Sequence, residues 1–240
     1  MLKIQKMSFA ALMISAVVSG TVFADEKTDT KFNDEVSYAL VAYSMTQAKI
    51  MAEQGEIKLN EAQVNKAVED VLKGKFTEQK IGELSQTLEL FQQKVMAREQ
   101  AKMKEISQKA QEEGDKYRAE FAKKEGVKTT KSGLLYRIVE AGKGEVIKPT
   151  DTVKVHYTGK LPNGEVFDSS VGRGQPAEFR LDQVVKGWTE GLQLVKKGGK
   201  IELVLPPELA YGKQGAGASI PPNATLYFDV EVLDVNPKAK

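Results

Sequence analysis

Five short segments in the second half of the chain carry the side chains whose types and spacing could do chemistry. They supply apolar and aromatic side chains, the isolated carboxylate of Asp168 and the phenol of Tyr211, but no pair of nucleophile and base. Such a set suits a reaction that makes and breaks no covalent bond, for example rotation about a peptide bond. In chain order, over about 70 residues, the segments are 155–159, 166–170, 184–188, 210–212 and 220–226.

Other motifs that could indicate a site lack the partners that such sites need. His156 is the only histidine, so neither a metal site nor a Ser-His-Asp triad is supported, and we interpret it as structural. The glycine-rich segment 212–219 contains a lysine but lacks the Gly-Lys-Ser/Thr ending and the following helix of a phosphate loop. We interpret this segment as a flexible flap over a pocket, and we expect no metal and no cofactor.

The five segments closely resemble the FKBP family of peptidyl-prolyl cis-trans isomerases, and the resemblance covers about residues 130–236. It implies a hollow between a helix and a sheet, with Trp188, the only tryptophan, as its floor. The residues that the resemblance makes catalytic are Tyr157, Asp168, Tyr211 and Phe228. The residues that it makes substrate-binding are Phe167, Arg173, Phe179, Val184, Val185, Trp188 and Ile220. For each apolar residue taken singly, ordinary core packing is the alternative, and Asp168 alone also suits a turn.

The resemblance implies prolyl isomerase activity, and a pocket of this kind gives that activity a physical mechanism. An X–Pro bond rotates over a barrier of roughly 20 kcal/mol because amide resonance must be broken. A dry apolar pocket disfavours the polar planar amide relative to the less polar twisted amide, without general acid–base catalysis. Ala177 and Ala216 stand where the best-known single-domain family members carry larger side chains. Macrolide affinity and the preferred residue before proline are therefore open.

The placement of proline divides the chain into a helical half and a half with many turns. All eight prolines lie at or after Pro149, so the first half is free to be helical. Apolar spacing and capping residues predict helices over roughly 31–53, from Asn60 to Gly74 and from Thr77 to Glu125. The third helix would be roughly 70 Å long, so we expect its distal half to be a solvated arm.

Two features of these helices predict a dimer. The first helix is apolar on more than one face, and the third has a heptad seam from Ile81 to Val95. About 100 residues in three helices bury little core on their own. A monomeric three-helix bundle is the alternative.

From Lys128 onward the sequence changes to short strands separated by turns. It predicts a short helix at 189–195, a hairpin turn at 161–164, and strands at 134–139, 152–160, 178–181, 200–205 and 225–235. The predicted fold class is therefore α+β. It combines an N-terminal all-α dimerisation region, a long connecting helix and a C-terminal FKBP-like antiparallel sheet wrapped on a short helix.

Composition and the N-terminal segment indicate an exported protein. The first 24 residues are typical of a secretory signal cleaved after Ala24. The absence of cysteine excludes disulfides and thiol catalysis, and the near-neutral charge disfavours nucleic acid as a partner. We expect no stable membrane span. The expected organisation is a signal peptide at 1–24, a helical dimerisation region at 25–76, a long connecting helix at 77–126 and an isomerase domain at 127–240.

The whole arrangement resembles the FkpA/Mip-type periplasmic subfamily of FKBPs. That resemblance implies a homodimer whose N-terminal region is a chaperone, acting on unfolded or partly folded exported proteins with X–Pro bonds. It also implies a periplasmic location, with the cell surface as the alternative, and macrolides as candidate inhibitors. The alternative function is a holdase whose isomerase pocket is secondary.

Overall fold

The computed structural model describes residues 26–237, with side chains from residue 30 onward. The chain divides into two compact units, one ending at Phe91 and the other beginning at Gln92. Three helices precede the sheet, and all three were predicted. They are α1 (Glu26–Gln54), α2 (Glu61–Leu72) and α3 (Glu78–Phe121). The proposed signal peptide lies outside the described residues.

Helix α2 begins and ends as its capping residues predict. The Asn60 side-chain oxygen accepts a hydrogen bond from the Gln63 backbone N–H at 3.1 Å, which satisfies one of the free donors of the first turn. Gly74 follows the helix with a φ of +66°, a left-handed conformation that glycine adopts without strain. None of the α2 residues is buried within this unit.

Large apolar side chains of the first unit are exposed. Tyr38 on α1 is 79% exposed, and the heptad positions Ile81, Leu84 and Leu88 at the start of α3 are also exposed. A contiguous exposed apolar face is typical of a surface that binds another protein. No helix in the described part of the chain has the length and hydropathy of a membrane span.

The second unit contains a seven-stranded sheet in which every pairing is antiparallel. The strands are β1 (Val127–Thr129), β2 (Leu135–Glu140), β3 (Thr152–Lys160), β4 (Val166–Ser169), β5 (Ala177–Arg180), β6 (Lys200–Leu205) and β7 (Leu226–Val235). Their order is β1-β2-β6-β7-β3-β4, and β5 also pairs with β3. The five predicted strands are confirmed to within one residue at each end. The short strands β1 and β4 were not predicted, because three or four residues carry too little alternation.

One face of the sheet packs on a short helix, α4 (Lys186–Gly191), which continues as a 3-10 turn to Leu194. This helix begins three residues before the predicted start at Thr189. The prediction was wrong because glycine weakens helices, whereas here Gly187 and Gly191 are required by packing. A Cβ at either position would lie 2.5 Å or less from the side chains of Leu205 or Leu203 on β6. The glycines therefore let α4 approach the sheet closely.

Within the second unit, the last turns of α3 pack against the sheet, which corrects the expectation of a solvated arm. Ala110, Gly114 and Phe121 are buried. The Phe121 ring lies 6.2 Å from the ring of Tyr227 on β7, and both rings also contact Tyr117. The small residues on this helix face gave little apolar signal in the sequence, although they permit the close contact.

Candidate active site

Trp188 lies at the centre of an aromatic cluster between α4 and the sheet. Only 4% of its surface is exposed. Its ring lies 5.2 Å from Tyr157, 5.5 Å from Phe179 and 5.2 Å from Phe228, in nearly perpendicular edge arrangements. Such edge-to-face packing is favourable for aromatic rings and fixes their orientation. The first helical residues of α4 therefore hold a rigid aromatic floor.

An open cavity of about 400 Å³ lies over this floor. Eight of the eleven predicted site residues line it, together with Gln183, which the sequence did not indicate. The lining residues are Tyr157, Asp168, Phe179, Gln183, Val184, Val185, Trp188, Tyr211 and Phe228. Gln183 lies in the turn just before Val184, and a single polar residue in a turn has no pattern by which it could have been predicted.

The other three predicted residues, Phe167, Arg173 and Ile220, do not line the cavity. The Phe167 ring packs on the Phe228 ring at 5.5 Å and 89°, so it supports the wall from behind. Ile220 is buried in the core of the same unit. Arg173 contacts two lining residues, Asp168 and Tyr157.

Asp168 is held at the cavity by two donors from different elements. The Tyr157 hydroxyl donates to one carboxylate oxygen, and the Arg173 guanidinium donates to the other. Arg173 also donates to the Tyr157 hydroxyl at 3.1 Å and lies 5.8 Å from the centre of its ring. The carboxylate therefore has a fixed orientation and a charged partner.

The same contacts set the charge states of this group. Burial raises the pKa of Asp168, but the hydrogen bonds from Tyr157 and Arg173 outweigh burial and hold the pKa below its usual value of 3.8. Burial, and then the hydrogen bond to Asp168, raise the pKa of Tyr157 above 10.0. At neutral pH the site therefore presents a carboxylate and a protonated phenol, and neither group is ready to transfer a proton.

Strand β3 brings these residues together through its alternation and its hairpin. Val153, Val155 and Tyr157 are buried on one face, as the sequence predicts. The turn at 161–164 closes with a Gly164 N–H to Leu161 carbonyl bond of 2.9 Å, and it pairs Gly159 with Asp168 on β4. The hairpin therefore fixes Asp168 near Tyr157.

His156 lies on the other face of β3. Its Nδ1 is 3.1 Å from the Ser170 hydroxyl, and that hydroxyl accepts a hydrogen bond from the Tyr157 backbone N–H at 2.8 Å. Within residues 26–237 no group of three or more histidine and carboxylate side chains could hold a metal ion. These contacts agree with the structural interpretation of His156.

Comparisons with known proteins agree on one family. Residues 143–233 match the model of the FKBP-type peptidyl-prolyl cis-trans isomerase domain, and residues 33–138 match the model of the domain amino terminal to it. A probable FKBP-type peptidyl-prolyl cis-trans isomerase of Haemophilus influenzae is 60% identical over 243 aligned residues that cover both chains fully. The chain belongs to the FKBP family of peptidyl-prolyl cis-trans isomerases.

Further relatives of this FKBP support the same conclusion. The FKBP-type isomerase FkpA of Escherichia coli is 49% identical over 90% of this chain and 81% of its own. The crystal structure of that protein matches with a TM-score of 0.64 and 46% identity, covering 90% of this chain and 99% of the other. A peptidyl-prolyl isomerase structure from Pseudomonas syringae matches with a TM-score of 0.50 and 37% identity over 55% of this chain and 96% of its own. The predicted family and fold class are confirmed.

The FKBP cavity has an apolar surface for binding and a few polar groups, and none of these groups is placed for covalent chemistry. Its lining is mainly aromatic and aliphatic, and its polar groups include Asp168, Gln183 and the hydroxyls of Tyr157 and Tyr211. Tyr211 is 43% exposed and lines the cavity, so it lies at the rim. Ala177 and Ala216, where single-domain members carry larger residues, both pack against the core and do not line the cavity.

Proposed function

We propose that the aromatic cavity binds the proline ring of an X–Pro bond on Trp188 and stabilises the twisted amide of that bond. The observation that supports this proposal is an apolar cavity with one ionised carboxylate, Asp168, fixed at its edge by Tyr157 and Arg173. A group held in place before the substrate arrives needs no reorganisation during the reaction.

The physical basis is the difference in polarity between the planar and twisted amides. Planar conjugation moves charge from nitrogen to oxygen, and water solvates that charge better than an apolar cavity does. Transfer of the amide from water to the cavity therefore costs the planar form more than the twisted form. Binding that favours the twisted form lowers a barrier of roughly 20 kcal/mol without any covalent step.

Each polar residue has a distinct part in this proposal. The Tyr211 hydroxyl donates to a substrate carbonyl and fixes the bound pose. The Asp168 carboxylate interacts with the rotating carbonyl group, and Arg173 and Tyr157 orient the carboxylate. Tyr157 and Phe228 form the catalytic walls. The binding surface around them consists of Phe179, Val184, Val185 and Trp188, with Phe167 and Ile220 in support.

A pair of matched carboxylate variants tests this assignment. Asp168→Ala removes the oriented carboxylate, and we expect kcat/KM for a proline-containing tetrapeptide to fall about 10- to 100-fold. Asp182→Ala is the control, since Asp182 pairs with Arg180 at 2.9 Å, has a similar exposure and does not line the cavity. The control should keep the activity of the wild type. Undiminished turnover in Asp168→Ala would remove this residue from the mechanism.

We further propose that the substrates are unfolded or partly folded exported proteins, and that residues 1–24 direct export to the periplasm. The proposed boundaries remain 25–76 for dimerisation, 77–126 for the connecting helix and 127–240 for the isomerase domain. The exposed apolar side chains of the first unit support a homodimer whose surface also holds client chains. Macrolides are the proposed inhibitors, because they would occupy the cavity in place of proline.

A holdase with a secondary pocket is the second candidate function, and the same apolar surface favours it. The Asp168→Ala variant separates the two. If isomerisation limits the recovery of a proline-dependent client, the variant should fail to accelerate refolding while still suppressing aggregation. Equal acceleration by the variant and the wild type would favour the holdase.

A further inference from the structure

The loop that carries Tyr211 is attached to helix α3 by contacts outside the cavity lining. This loop, residues 211–225, leaves the cavity at Tyr211 and returns to β7, which carries Phe228. Residues 107–121 of α3 contact it through three positions, Ser107, Gly114 and Arg118, which we call the anchor residues. None of these three residues lines the cavity.

The first attachment runs through Asn223. Its side-chain Nδ2 donates to the Ser107 hydroxyl at 2.8 Å. Its backbone N–H donates to the Gly212 carbonyl at 2.9 Å, one residue after Tyr211. Asn223 has a φ of +59°, a left-handed conformation that asparagine tolerates better than most residues. A single residue therefore joins the helix to the backbone beside Tyr211.

The second attachment is at Thr225, where the loop joins β7. Thr225 is fully buried, and its hydroxyl accepts a hydrogen bond from Arg118 Nη1 at 2.5 Å. The helix backbone passes close to the same side chain. A Cβ added at Gly114 would lie 2.4 Å from Thr225 Oγ1 and 2.9 Å from its Cβ. Any residue other than glycine at 114 would therefore have to move the helix or the loop.

The end of α3 is itself held firmly. Phe121 is 1% exposed, in a cluster with Tyr117 and Tyr227. The Tyr227 hydroxyl donates to Glu202 at 3.0 Å, and Arg137 donates to the same carboxylate at 2.6 Å. Because this end of α3 is packed in place, its contacts with the loop limit the movement of the loop.

We infer that Ser107, Gly114 and Arg118 are positioning residues for the isomerase, acting through the 211–225 loop on Tyr211. This inference rests on the proposed role of Tyr211 in holding a substrate carbonyl. The loop has three glycine residues, which leave its backbone free to adopt other conformations unless it is held. The anchor residues select the conformation in which the Tyr211 hydroxyl faces a bound peptide.

Single substitutions in the full-length protein test the inference. Gly114→Ala and Arg118→Ala should each lower kcat/KM about three- to tenfold, mainly through a higher KM, since small misplacements of a binding group are costly. Ser107→Ala removes only the Asn223 contact at a partly buried surface position, and it should shift KM in the same direction by about twofold or more. It is the variant least able to disturb folding.

Matched controls separate positioning from general effects on the helix. Gly82→Ala makes the same change in α3 at a glycine with no atom within 4 Å of the added Cβ. Lys116→Ala removes an exposed cation two residues before Arg118. Both controls should keep the KM and kcat of the wild type. Urea unfolding of every variant measures stability separately from turnover.

A double-mutant cycle with Tyr211→Phe shows whether the anchor residues act through the Tyr211 hydroxyl. If the anchor residues act through the Tyr211 hydroxyl, Arg118→Ala should change KM by less than about twofold once that hydroxyl is absent. Independent, multiplicative effects of the two substitutions would overturn the inference, as would unchanged kinetics in all three anchor variants. If Tyr211→Phe alone leaves KM unchanged, the proposed role of Tyr211 fails instead, and the two failures are thereby distinguished.

Discussion

The polarity of the cavity depends on one residue, Asp168, because Tyr157 and Arg173 hold its carboxylate ionised and in one orientation. Alternation on β3 predicts which face Tyr157 occupies, because side chains in a strand alternate between two faces. The family resemblance placed Phe167 and Ile220 in the walls, but Phe167 packs on the Phe228 ring and Ile220 lies in the core, and neither lines the cavity. Gln183 lines the cavity from a turn, where no periodicity exists to indicate it.

Arg173 should help to set the pKa of Asp168, and with it the pH below which the ionised contacts of Asp168 are lost. The folded protein holds the pKa of Asp168 below 3.8, so the stability from its ionised contacts is complete above about 3.8 and is lost as pH falls through the folded pKa. Arg173→Ala removes one hydrogen bond and the neighbouring positive charge, and we expect the pKa of Asp168 to rise. A carbon NMR titration of the Asp168 carboxyl measures this, with Arg180→Ala as the control. An unchanged pKa in Arg173→Ala would show that Tyr157 alone holds the carboxylate.

Gly159 on β3 shows how one element shapes the cavity walls. A Cβ at this position would lie 2.5 Å from the Phe167 ring and 2.9 Å from the Phe228 ring. Gly159→Ala should destabilise the protein by about 1–3 kcal/mol, because overpacking forces the rings to move. It should also lower kcat/KM, since Phe228 lines the cavity.

Gly172→Ala is the control for this substitution. Its added Cβ would meet Ser169 at 3.6 Å, an ordinary contact, and we expect a change in the free energy of unfolding within about 0.5 kcal/mol. Urea unfolding and the peptide assay measure both variants. Equal stability and activity in the two variants would contradict the close packing of Gly159 against the rings.

The helices and strands that the sequence predicted correctly are those whose apolar pattern coincides with their burial in the fold. Strands β3 and β6 match their predicted bounds, because β-branched residues and alternation coincide with burial there. Two predictions were wrong for one shared reason: the start of α4 at Thr189 and the solvated distal half of α3. Both depend on glycine at a close approach, at Gly187 in α4 and Gly114 in α3, and glycine in a helix gives no apolar signal.

The molecule contains two units of different character. The helical unit has exposed apolar side chains, whereas the unit that carries the isomerase cavity has a buried apolar core. We expect sedimentation at micromolar concentration to give twice the chain mass. Tyr38→Glu combined with Tyr43→Glu should shift the mass to one chain, because charge at two exposed apolar positions opposes association. Gln47→Glu, at an exposed polar position of the same helix, should leave the dimer intact. One chain mass for the wild type would contradict the dimer.

In the proposed mechanism, this FKBP accelerates rotation by binding the twisted amide, with no proton transfer in the rate-limiting step. The solvent isotope effect on kcat/KM for a proline-containing tetrapeptide distinguishes this mechanism from one that includes proton transfer. Because Asp168 stays ionised and Tyr157 stays protonated, the ratio of rates in H₂O and D₂O should be about 1 from pH 6 to pH 8. A ratio of about 2 or more would indicate a proton in flight in the transition state and would contradict the mechanism.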